Sequence, residues 1–320
     1  MKTLHSYLLV AAALLLTGCA IDRPQEYNPE LRLMFQPEMY MHVAHEDVER
    51  FPTDETFGVA AWALPEGKTW EEDSDAAEEF IPLSEAVSME VFITDTTLRD
   101  TVKDTLWGLS GQVNWPADHS SLTFLAYSPY DEACGCDKED GISWSTDVAE
   151  EQTDLLYTRP HADMHKISNG WVVQLEFEHA LSRIDFRIKH RVEDDEKITI
   201  SRITIDAMRH KGVFHSLRTP QWTLEESLMP QTFFEGSEDA GPLPQPIGDY
   251  RMVVPQELDT FVTVEYRYTT FAGTYIVQKL RTVPLKTRIE PGRSYTYTLT
   301  VGIDDVKFML ELIEEDDEKI

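Results

Sequence analysis

Basic residues are scarce. Only 28 Lys and Arg stand against 58 Asp and Glu in 320 residues, a formal net charge of -30 at pH 7. So acidic a chain repels phosphate backbones, which excludes nucleic acid as a partner, and it argues against lying flat on anionic lipid. Cysteine is nearly absent. Cys134 and Cys136 flank Gly135 in a loop-like stretch; two thiolates do not make a zinc site alone, and both a small strained disulfide and a pair of plain thiols fit the spacing. After residue 16 no apolar run approaches the ~20 residues a spanning helix needs. Convincing 3.6-residue periodicity is missing from every window of a dozen residues, so long helices are not expected.

Catalytic signatures are also missing. There is no phosphate-binding loop and no G-x-G-x-x-G. Gly108-Leu109-Ser110-Gly111 fails as a nucleophile elbow because Gln112 follows. With this many acids, carboxylate pairs arise by chance. His161, Asp163 and His165 alternate, as ligands on one strand face would, but they sit alone in sequence and read as a solvated linker. Trp107, Trp115, Trp144, Trp171 and Trp222 could stack on sugars, though core packing is the preferred reading. The expectation is no enzyme, no cofactor and no metal.

What is present begins at the first residue. Lys2 gives a positive start, Leu8–Leu16 is an unbroken apolar run, and Leu16-Thr17-Gly18-Cys19 places small residues beside a cysteine. Residues 1–18 read as a secretory signal peptide. The cysteine at the cut resembles the bacterial lipobox, which implies a diacylglycerol and fatty acylation on Cys19; two or more chains anchor stably where one does not. The one charge of the signal, Lys2, leaves with it, so the mature chain is more acidic still. Residues 19–30 form a polar tether holding Pro24.

The remainder alternates with period 2. Leu31–Val43 reads as a first strand or a pair broken at Pro37, and Thr56–Leu64 as a second. Between them lies a charged segment holding Arg50. Val173, Leu175 and Phe177 share a face, as do Ile184, Phe186 and Ile188. Ile198 and Ile200 fall out of step with Ile203 and Ile205, which predicts a bulge. Val262 to Tyr268 forms another alternating series, and Tyr295 to Ile303 the longest. Short alternating strands separated by turn signals indicate an all-β fold of antiparallel β-sandwiches. The boundary is expected within Arg159–Ser168, dividing the chain into domains at 31–160 and 168–313 with an acidic tail at 314–320.

Four stretches carry a resemblance. They are Asp154-Leu155-Leu156-Tyr157, the run Phe177-Glu178-His179-Ala180-Leu181-Ser182-Arg183-Ile184-Asp185-Phe186, Val254-Pro255-Gln256, and Pro291-Gly292-Arg293-Ser294-Tyr295-Thr296-Tyr297. In this order and behind a lipobox they resemble the fimbrillin family, the pilins of type V pili in Bacteroidales. The resemblance implies two transthyretin-like antiparallel β-sandwich domains in tandem, and an outer-membrane lipoprotein on the cell surface that serves adhesion within a fimbrium. It also implies a trypsin-like protease that cuts after an arginine and removes lipid and first strand together. Other pilus subunits then bind by donor-strand exchange. On these residues Arg50 is the processing site, because a cut after Arg32 would leave most of the first strand in place. Val306, Phe308, Leu310 and Leu312, on one face of a late apolar segment, form the donor strand. The alternative is a monomeric surface lipoprotein that binds glycan or a host ligand.

Overall fold

The computed structural model describes residues 33–39, 51, 56–82, 86–96, 101–109, 113–116, 120–149, 152–165, 172–192, 196–216, 219–270 and 276–312. Cys19, Arg50, Trp171 and the acidic tail lie outside them. The described chain is nearly all strand; its helical content is one turn at Trp70–Asp73 and a 3-10 turn at Ser74–Ala76.

The first body is built on nine strands. They are β1 (Met34–Met39), β2 (Phe57–Leu64), β3 (Glu78–Ile81), β4 (Ala86–Thr96), β5 (Thr101–Leu109), β6 (Ser121–Ser128), β9 (Leu156–Thr158), β10 (His161–Met164) and β11 (Val172–His179). Their order is β10-β6-β9-β11-β1-β5-β4-β2-β3, with a further pairing of β6 to β2. That last pairing closes a circuit of β6, β9, β11, β1, β5, β4 and β2 around one apolar interior. Phe57, Val59, Phe124, Val173, Leu175 and Phe177 fill it. The alternation predicted for β11 is observed: Val173, Leu175 and Phe177 are buried and Gln174 and Glu176 exposed. β2 is instead buried on both faces, so it reads as a continuous apolar run.

The second body stacks two four-stranded sheets. One has the order β17 (Gln245–Val253), β12 (Ser182–His190), β20 (Ser294–Val301), β21 (Val306–Leu312). The other runs β16 (Met229–Asp239), β13 (Lys197–Met208), β18 (Glu257–Thr269), β19 (Ile276–Arg288). Ile184, Phe186, Ile188, Val262, Val264 and Tyr297 lie in the shared core. The ladders on both sides of β13 shift register between Ile200 and Arg202, and that shift keeps all four isoleucines buried. Ile303 departs from the expected series: β20 ends at Val301 and Ile303 is exposed.

A third four-stranded sheet, β15 (Gln221–Leu224), β14 (Lys211–His215), β8 (Gly141–Asp147), β7 (Gly135–Asp137), takes strands from both halves of the sequence. β8 pairs with β14 over five residues, from Lys211 opposite Asp147 to His215 opposite Ser143. β11 pairs within the first sheet and β12 within the second body, with Ala180 and Leu181 between them. The reading of His161, Asp163 and His165 as a solvated linker is corrected for the first two. His161 to Met164 form β10 on the rim of the first sheet, half-buried, and Asp163 accepts a hydrogen bond from the Trp70 amide at 2.9 Å.

Candidate functional site: the first strand and its groove

β1 lies in parallel register with β11, from Met34 opposite Val172 to Met39 opposite Phe177. On its other side it meets β5 at one pair, Phe35 opposite Trp107. The strand runs through Pro37 without the break expected there. The β5 ladder stops before that proline, which has no N–H to extend it. Among the described residues no pairing joins β5 directly to β11, so β1 is the strand that closes the circuit at this point.

The side chains reinforce that role. Leu33, Met34 and Phe35 are fully buried, and each such side chain contributes roughly 1.5–3 kcal/mol relative to exposure. Phe35 packs edge-on against Phe57 and Phe124, with centroids at 6.1 and 5.8 Å. Leu33 N–H donates to the Val113 carbonyl at 2.7 Å. Phe51, directly after Arg50, is 3% exposed and touches Phe57, Trp107 and Phe177 at 5.6, 6.0 and 5.1 Å. Aromatic residues thus surround β1, and the chain resumes its core packing immediately after the arginine.

Val306 and Phe308 of the expected donor strand lie on β21, at the edge of the second body, and their strand pairs with β20 over seven residues. Phe308 stacks on Tyr297 with centroids 4.7 Å apart and planes at 18°. Leu310 and Leu312 extend the same strand, opposite Tyr297 and Tyr295.

The four motif stretches meet where the two bodies join. His179 Nδ1 donates to the Asp154 carboxylate, linking the second motif to the first. Ser182 Oγ donates to Glu290 O at 2.6 Å, and Gly292 N–H to Leu181 O at 2.8 Å. Gly292 sits at φ +68, a left-handed turn position that favours glycine. The Gln256 side chain bonds both backbone groups of Arg209, at 2.9 and 2.8 Å. Tyr295 O–H accepts from Glu290 N–H at 2.8 Å and donates to Arg288 O at 3.2 Å. These residues serve as the joint, with His179 ending β11 and Ser182 opening β12 at the corner between the bodies. Sequence reasoning found the motifs but not their convergence, which is carried by contacts between distant segments.

Both loop cysteines are free thiols. Burial pushes the Cys134 thiol up to about 12 and raises Cys136 too, which suppresses thiolate chemistry at neutral pH. The described tryptophans are buried or half-buried. No cluster of three or more His, Cys, Asp and Glu able to hold a metal occurs among the described residues.

A closed, strand-built body joined to a two-sheet sandwich defines the class: an all-β, multi-sheet protein. The fimbrillin-like family profile matches residues 49–312, and the chain belongs to that family. Fimbrium subunit Fim1C of Phocaeicola vulgatus is 24% identical over 226 residues, 63% of this chain. The match spans 56% of the length of that relative. A solved fimbrial protein from Bacteroides vulgatus superposes with a TM-score of 0.68 at 16% identity, covering 88% of this chain and 99% of its own. A candidate cell adhesion protein from Bacteroides uniformis gives 0.54 at 14% identity, covering 89% and 98%.

Proposed function

We propose that this chain is a surface pilus subunit, exported as a lipoprotein through Cys19 and assembled by strand complementation once a cut after Arg50 removes β1. The observation that carries the reading is the position of β1 as the strand that closes the circuit between β11 and β5. Its loss opens one continuous gap, lined by Phe57, Trp107, Phe124 and the free edge of β11. Such an edge is a template for an incoming strand. The family match begins at residue 49 and ends with β21 at residue 312, so it leaves β1 outside and keeps β21 inside.

β21 is the incoming strand in this reading. Leu33, Phe35 and Pro37 face the groove with the same spacing as Val306, Phe308 and Leu310, which puts Phe308 in the Phe35 position of the next subunit. β21 is an edge strand held in its sheet by β20 alone, so it can leave without breaking a ladder between other strands. The two bodies correspond to the tandem transthyretin-like sandwiches, and the outer membrane is the site of lipid anchorage. None of the described tryptophans is fully exposed, so a monomeric binder working through surface indoles has less to rest on than the strand scheme.

The test is limited trypsin treatment of the purified, unlipidated chain, followed by mass spectrometry and size exclusion. One preferred cut after Arg50 and a ladder of oligomers are expected, and Arg50→Ala is expected to remain monomeric. Oligomers formed equally by Arg50→Ala would remove that residue from the scheme.

A further inference from the structure

The joint between the bodies carries an open cleft of about 730 Å³ that neither strand exchange nor lipid anchorage uses. Its walls include Tyr157, Trp222, Pro220, Pro255 and Pro291. It carries three arginines and three glutamates. Arg159 holds Glu178 in a two-point pair at 2.6 and 3.2 Å, and Tyr157 O–H donates to the same carboxylate at 3.0 Å. Arg293 Nε pairs with Glu290 at 3.0 Å. Arg288 sits opposite Glu257 across β18 and β19.

We propose that this cleft binds a neutral oligosaccharide of about two or three rings, a size that suits such a cavity. Positive and negative groups match one to one, so the cleft rewards neither an anionic nor a cationic ligand. What it offers is guanidinium donors and carboxylate acceptors held side by side, the pattern that neighbouring sugar hydroxyls satisfy by donating to one and accepting from the other. The half-buried Trp222 supplies an apolar wall for a ring face. Its orientation is set by the bond from Nε1 to the Ala180 carbonyl at 2.8 Å and by contact with Phe214. An added peptide strand fits less well, because three wall residues are prolines with no N–H to give a ladder. The site is also preorganised: the bonds that join the two bodies already hold its walls, which lowers the ordering cost of binding.

The experiment is calorimetric titration of the full chain with neutral di- to tetrasaccharides of glucose, galactose, mannose and N-acetylhexosamines, alongside uronate-containing oligosaccharides of equal length. Saturable binding of at least one neutral sugar is expected. Arg159→Ala, at an exposed side chain, is expected to weaken it at least tenfold with an unchanged melting temperature. Lys286→Ala, whose exposed side chain pairs with Asp259 and is not part of the cleft wall, is expected to leave it unchanged. Absence of binding at about 10 mM sugar, preference for the uronates, or indifference to Arg159→Ala would each overturn the proposal. Because these measurements use the uncut monomer, their failure leaves the strand-exchange reading untouched, and the reverse also holds.

Discussion

Phe51 lies against Phe177 with ring centroids 5.1 Å apart, and Phe51 is the residue that follows Arg50. A cut after Arg50 therefore creates a new amino terminus whose first side chain is already seated among Phe57, Trp107 and Phe177. In the proposed scheme that terminus would be anchored at the rim of the groove that the cut would open.

Phe51→Ala is accordingly expected to destabilise the uncut protein by about 3–5 kcal/mol, the usual range for deleting a buried phenylalanine ring. In the processed form the same change is expected to fray the new terminus and widen the groove. Urea unfolding of both forms, with hydrogen exchange at β2 and β11, checks this. Equal stability of variant and parent would show that the aromatic cluster closes without Phe51.

Under the proposed donor-strand scheme, substitution of Phe308 tells folding from assembly. In its own sheet it stacks on Tyr297 at the edge, so Phe308→Ala is expected to cost about 1–2 kcal/mol there. Met309, on the exposed face of the same strand, is expected to tolerate alanine within about 0.5 kcal/mol. After protease treatment the Met309 variant is expected to form oligomers and the Phe308 variant to stay monomeric. Oligomers from Phe308→Ala at the parent rate would remove β21 as the donor.

Much of this fold is legible in the residues, and the parts that are not share a cause. β11, β12 and β18 announce themselves because one face packs on a core and the other meets solvent, whereas β20 alternates in sequence although both its faces are buried. The offset between the isoleucine pairs of β13 foretells its bulge. β19 was not anticipated, because its inward positions include Lys279 and Arg281, half-buried and paired with Asp304 rather than packed as hydrophobes. β1 was anticipated only as a strand interrupted at Pro37. Its passage through the proline depends on β11 supplying the ladder, a partner more than 130 residues away in sequence. The joint is the extreme case: Asp154 and His179, or Leu181 and Gly292, become neighbours through topology alone.

Asp147 joins the two halves of the chain and makes their union acid-sensitive. It sits opposite Lys211 where β8 meets β14, accepting from His210 Nδ1 at 2.7 Å and pairing with Lys211 Nζ at 2.9 Å. Burial raises its carboxyl, but the hydrogen bonds from His210, Lys211 and the Ala149 amide outweigh that and hold it at about 2. A carboxyl lowered in the folded state stabilises fully above its unfolded value near 3.8 and loses that contribution as pH falls through about 2. Asp147→Asn is therefore expected to melt earlier than the parent at pH 7, with the gap closing between about pH 4 and pH 2. A gap that stays constant down to pH 2 would assign the effect to packing instead.

Gly58 and Tyr127 face each other across β2 and β6. A Cβ at Gly58 would fall 2.2 Å from Tyr127 Cε1, so the ring lies directly over the glycine. The ring is not free to move, because its hydroxyl donates to Asp131 O at 2.6 Å and accepts from Asp131 N–H at 3.1 Å. Gly58→Ala is expected to cost about 1–3 kcal/mol through overpacking, at the upper end because the neighbour is tethered. Tyr127→Phe removes the tether and costs about 1 kcal/mol or somewhat more, since it leaves the Asp131 amide without that acceptor. The double variant is expected to lose less than the two singles together, because an untethered ring can swing away from the new methyl group. A double-mutant cycle in urea measures the difference. Strict additivity would mean that backbone displacement of β2, rather than the held ring, sets the penalty at Gly58.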